Sequence, residues 1–151
     1  MATLFTDIYD LFLAEVTDYK LDALYATSVT DFETYLQGFL KRAIPKFTNC
    51  AQDLTDVNFT TGTFNITLTL MEQTILSSLM AIEWLNKEIQ NVSQINIHLN
   101  DRDFKHHSAA QNLKEKKALK NELREIVSQD MVDYGILNIP WSDWADDDYG
   151  F

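Results

Sequence analysis

Cysteine, proline and glycine are all scarce in this chain, with one, two and four among 151 residues. A single cysteine, Cys50, excludes an internal disulfide framework and leaves no second thiol for a zinc site. It reads as a small buried apolar residue. So few glycines and prolines argue against a β-sandwich with many tight turns and favour helices joined by short connections. Cations are also in the minority: 12 Lys and Arg against 23 Asp and Glu leave a net charge of −11. Affinity for a phosphate backbone comes chiefly from clustered cations, so a sequence-specific nucleic-acid reader is not expected. No apolar run reaches the length of a membrane span. The first residues, MATLFTDIYDLFLAEV, carry Asp7 and Asp10 where a signal peptide needs positive charge, so intracellular production is expected. On that expectation the acceptor patterns at Asn58, Asn65 and Asn91 are chance matches.

Catalytic material is thin as well. There is no GxxxxGK[ST] or GxGxxG phosphate loop and no GxSxG elbow. The histidines are His98, His106 and His107, and the adjacent pair points in different directions on a helix, unlike the i, i+4 pairs that ligate metals. Asp146, Asp147 and Asp148 lack the spaced oxygen ligands of a calcium loop. Asp101 and Asp103 lie at a helix start, where negative charge is favourable for structural reasons. The expectation is a protein that is not an enzyme and uses no cofactor or metal.

What is present is core-forming periodicity. With 46% hydrophobic residues, the chain has enough apolar material for one core. Leu4, Phe5, Ile8, Leu11, Phe12 and Val16 repeat at helical spacing, which predicts a helix over 4–16. Residues 17–29 read as a loop with a helical turn. Thr30 and Glu33 have capping-box spacing, so a second helix is expected from about Asp31 to Asn49, kinked or shortened by Pro45. Thr69 and Glu72 form a second such box, opening a helix with Ile75, Leu76, Leu79, Ile82, Leu85 and Ile89 on its inner side. Residues 64–68 and 95–99 alternate apolar and polar, and either pair as a two-stranded element or leave 95–99 as an extended connection.

The longest pattern spans 100–134 and holds seven of the 12 cations. Leu113, Leu119, Leu123, Ile126, Val127, Met131 and Tyr134 form its apolar stripe, with a break expected near Ser108. Its cations interleave with Glu115, Glu122 and Glu125, which makes a mixed-charge face. Lys116, Lys117, Lys120 and Arg124 on that face are candidate subunit-interface residues. After Gly135 the stripe ends, and GILNIPWSDWADDDYGF reads as an extended acidic, aromatic arm. Large aromatics dominate many interfaces, so Trp141, Trp144, Asp146, Asp147, Asp148, Tyr149 and Phe151 are candidate partner-binding residues. The expected architecture is mainly α: a bundle of about four helices with a short two-stranded β element at most, a domain over 1–134 and an arm over 135–151.

Four stretches carry a family resemblance: FTDIYDLFLAEVTDY (5–19), FETYLQGFLKRAIPKFTNCAQDL (32–54), TGTFNITLTLMEQTILSSLMAIEWLNKEI (61–89) and DRDFKHHSAAQNLKEKKALKNELREI (101–126). In their order and wording they resemble helical head–tail connector (adaptor, or neck) proteins of long-tailed bacteriophages. The resemblance implies a virion protein without catalytic activity, made in the host cytoplasm. It also implies a homo-oligomeric ring, commonly twelve-fold, that joins the portal protein to the next neck or tail protein. The arm beyond Gly135 departs from that pattern, so its role does not carry over. The acidic charge suits a conduit that DNA must traverse without sticking. The competing reading is a small acidic regulatory module whose arm occupies a partner's basic site.

Overall fold

The fold, obtained as a computed structural model, describes residues 1–98 and 103–142, with side chains described at 1–93 and 110–142. It is mainly helical with a three-stranded antiparallel sheet. In chain order the elements are β1 (Thr3–Leu4), α1 (Phe5–Glu15), α2 (Tyr19–Thr27), α3 (Val29–Ala43), a 3-10 turn at Ile44–Lys46, β2 (Val57–Asn58), β3 (Thr63–Phe64), α4 (Leu70–His98) and α5 (Asp103–Leu137).

The sheet is short but well placed. β3 lies between β1 and β2, pairing Thr3 with Phe64 and Val57 with Phe64. Gly62 takes a left-handed φ of 69° in the turn before β3, where a β-carbon would be strained. Its carbonyl accepts from the Phe5 N–H at 2.9 Å, so the turn is tied to the first residue of α1. Of the expected 64–68 strand only Phe64 is in a strand, β3 (Thr63–Phe64), whose partners are 3–4 and 57–58, and residues 65–68 are not strand. Residues 95–98 are the last turn of α4 and no strand, which corrects the expected pairing with 95–99. Alternation over five residues is compatible with either state, and the helix already running from Leu70 extends through it.

Three other boundaries moved. Residues 19–27 form a helix instead of a loop, with the Asp18 carboxylate accepting from the Lys20 N–H at 2.9 Å. Ser28, not Thr30, caps α3, its hydroxyl accepting from the Asp31 N–H at 3.3 Å. α3 stops at Ala43 and the 3-10 turn carrying Pro45 follows, six residues short of Asn49, because proline cannot donate into the preceding turn. The box at Thr69 forms as expected: the Thr69 N–H donates to Glu72 Oε2 at 2.7 Å and the Glu72 N–H to Thr69 Oγ1 at 3.3 Å.

α4 is the centre of the packing. Ile75, Leu76, Met80 and Ala81 are buried, and α1, α3 and α5 all lie against it. From α1 come Ile8 and Phe12, and from α3 come Leu36, Phe39 and Leu40. α5 runs from 103 to 137 without a break at Ser108 and passes through Gly135, beyond the expected end at Tyr134. Gly135 allows a close approach, since a β-carbon there would sit 3.1 Å from Asn49 Nδ2. Asn49 Nδ2 in turn donates to the Met131 carbonyl at 2.7 Å.

Candidate interaction surface of the long hairpin

α4 and α5 form an antiparallel pair, with Glu72 against Tyr134 at one level and Glu88 against Lys116 at another. At 29 and 35 residues, their axes extend about 43 and 52 Å. Successive residues of a helix are about 100° apart, so α5 presents distinct faces. Leu123, Val127, Met131 and Tyr134 point to the core, where Val127 and Tyr134 are buried.

Leu119 and Ile126 do not belong to that inner stripe. They and Leu137 lie within roughly 20° of one another on one flank, and all three are exposed by half or more. Sequence spacing had placed Leu119 and Ile126 on the docking face. Ile126 and Val127 are neighbours and cannot both be centred, and Val127 is the one that α4 covers. Glu115, Glu122 and Asp133 lie near the apolar flank by the same angular count.

The other flank is basic. Lys120 and Arg124 line a cleft of about 460 Å³ between α4 and α5, with Lys46 at its edge. Val127 and Met131 of α5 meet Leu79 and Ile82 of α4 at its floor. Asn86 joins this cleft to a groove between α3 and α4 that carries Arg42 and Lys87. Among the described residues, five cations line the two grooves with one carboxylate, Glu83. Glu83 bonds to Arg42 Nε at 3.1 Å and to Lys46 Nζ. Burial, with the Arg42, Arg124 and Lys120 charges added to it, pushes the Lys46 ammonium below the usual lysine pKa.

The candidate interface residues thus separate. Lys116 is drawn inward, 3.1 Å from Glu88 Oε2, and serves the hairpin itself. Lys117 is exposed on the basic flank. Trp141 is 60% exposed just past the end of α5. Trp144, Asp146, Asp147, Asp148, Tyr149 and Phe151 lie outside the described residues. So do the side chains of His98, His106 and His107.

Arg42, Lys46 and Lys87 were not legible as surface partners of Lys120 and Arg124, because they come from α3, the turn after it and α4. The one available signal was Glu83 and Glu88 inside an otherwise apolar helix, since a buried carboxylate requires donors from elsewhere. Cys50 is half-buried rather than buried, its Sγ 3.9 Å from the Tyr134 hydroxyl and 4.0 Å from Glu72 Oε1. Burial raises the pKa of its thiol, which opposes nucleophilic use. Among the described residues no group of three potential metal ligands gathers, and no helix is long and apolar enough to cross a membrane. Comparisons with protein-family models, curated proteins and solved structures find no match.

Proposed function

We propose that this protein is a structural virion component, a head–tail adaptor whose copies form a ring beneath the portal and join it to the next neck or tail protein. One observation carries the reading: α5 exposes an apolar, acidic flank on one side and a basic flank on the other. A ring requires heterologous contacts, in which one face of a subunit meets a different face of the next. Opposite flanks of a single long helix supply such a pair. Leu119, Ile126 and Leu137 offer apolar area, and Glu115 and Glu122 complement Lys117 on the basic flank of the adjacent copy. Complementary charge sets register and orientation more than affinity, which suits a closed ring. The resemblance of residues 5–126 to phage connector proteins favours the same role, and twelve copies would match the portal.

Native mass measurement and electron microscopy of the purified full chain test this. Ring-shaped particles are expected, and Leu119→Asp with Ile126→Asp should reduce them to monomers that keep a helical circular dichroism spectrum. A wild-type protein that remains monomeric at high concentration, or that is missing from purified virions, would overturn the proposal.

A further inference from the structure

On a chain of net charge −11, the band formed by Arg42, Lys46, Lys87, Lys120 and Arg124 is a local reversal of sign. Glu83 is the only carboxylate among the described residues lining the two grooves, and it is committed to Arg42 and Lys46. Four of the cleft's lining residues are apolar, so the surface matches an occupant that is acidic and aromatic at once. Residues 143–151, DWADDDYGF, have that composition: Asp143 and Asp146–Asp148 beside Trp144, Tyr149 and Phe151.

We propose that the cleft between α4 and α5 is the seat of residues 143–151 supplied by a neighbouring copy of the chain. The inference rests on the ring reading above and names the contact that links one copy to the next. Asp146–Asp148 pair with Lys120, Arg124 and Lys46, and the aromatic side chains cover the floor made by Leu79, Ile82, Val127 and Met131. Arginine also stacks on aromatic faces, so Arg124 and Arg42 serve both kinds of group.

Reach favours a neighbour over the same copy. Backbone bonds from Asn138 N–H to the Tyr134 carbonyl, Ile139 N–H to Ile136 and Trp141 N–H to Ile139 hold 138–141 at the end of α5. Arg124 and Lys120 lie about 20 and 26 Å back along the axis from Leu137. Extended chain covers at most about 3.6 Å per residue, so from Ser142 Asp146 reaches about 14 Å and Asp148 about 22 Å. A chain doubling back on its own copy must run at full stretch, with no slack for the reversal after Ser142, to bring Asp146–Asp148 within side-chain reach of Arg124 and Lys120. A neighbour delivering the segment from outside has no such limit.

The test uses the full chain without substitution. Unlabelled and 15N-labelled protein are mixed, assembled and treated with a carbodiimide, which joins a carboxylate to an amine only where they touch. Mass spectrometry should find Asp146–Asp148 coupled to Lys46 or Lys120 in mixed-label pairs. Lys120→Glu with Arg124→Glu should abolish those pairs and weaken self-association by at least about tenfold. Reversing Asp146, Asp147 and Asp148 to Lys in that variant should restore self-association and mixed-label links, with carboxylate and amine exchanged between the two segments. Rings without these links would overturn this inference and leave the ring reading standing. Mixed-label links in a protein that forms only dimers would support this inference and overturn the ring. Same-label links alone would assign the segment to its own copy and overturn the inference. So would a cleft that binds duplex DNA at low salt and loses it with Lys120→Glu and Arg124→Glu, since the band would then be a nucleic-acid surface.

Discussion

The two ends of the described α4–α5 pair solve the same problem differently. Near the start of α4, the buried Glu72 side chain is satisfied by neutral donors: the Tyr134 hydroxyl at 2.6 Å and the Thr69 N–H at 2.7 Å. The same hydroxyl accepts from the Ala51 N–H at 2.9 Å, so one group ties α4, α5 and the loop after the 3-10 turn. Burial, reinforced by the bond to Glu72, pushes the Tyr134 pKa upward and keeps the hydroxyl a donor. Further along α4, Glu83 and Glu88 are buried against cations instead, Arg42 and Lys46 for the first and Lys116 and Lys20 for the second. The first end is a closed clasp. The second leaves partly exposed cations on the surface, and a helix pair that needs cations to satisfy its interior therefore acquires a basic exterior.

Several changes would break or sharpen this contrast. The largest effect is expected from removing both cations of Glu83. Its side chain is 1% exposed while those of Arg42 and Lys46 are 73% and 47% exposed, so the penalty of an unpaired charge falls on the glutamate. Arg42→Ala with Lys46→Ala should cost about 3–5 kcal/mol in urea denaturation. Glu83→Gln, which leaves only solvated cations, should cost clearly less, and equal losses would contradict the asymmetry.

Tyr134→Phe comes next. It removes a donor to Glu72 and an acceptor for Ala51 while keeping the ring that packs 5.2 Å from Phe47, and should cost about 1–3 kcal/mol. An unchanged denaturation midpoint would mean that the clasp carries no stability.

The smallest effect is that of salt. At about 1 M the screening length falls to roughly 3 Å. The pairs of Glu83 and Glu88 with partly exposed cations should then lose under about 1 kcal/mol. The cost of Tyr134→Phe should not change with salt, since its bond to Glu72 is buried and its bond from Ala51 is partly buried. A salt-dependent clasp would erase the distinction between the two ends.

Legibility in the sequence followed the range of each interaction. The Thr69–Glu72 box joins residues three apart and was readable; the partnership of Glu72 with Tyr134 joins residues 62 apart and was not. The Thr30–Glu33 spacing misled by two residues because Ser28 offers the same chemistry two residues earlier in the chain. α2 was missed because YKLDALYAT has a weak apolar face, with Leu21 its one buried residue. Among the candidate interface residues, Lys120 and Arg124 stand on the open flank, whereas Lys116 turned inward to Glu88. Charge pattern alone does not distinguish them, since all three are cations on one helix.

The sequence by itself determined that the protein is mainly helical, which stretches are amphipathic, and where the α4 cap lies, because these depend on neighbours within one or two turns. Only the tertiary structure decided which side of α5 is buried. That choice rests on how α4 fits the ridge of Leu123, Val127 and Met131, and it turned Leu119 and Ile126 outward. The same packing gathered cations from α3, α4 and α5 into one band, because buried carboxylates on α4 must find partners wherever the fold brings them.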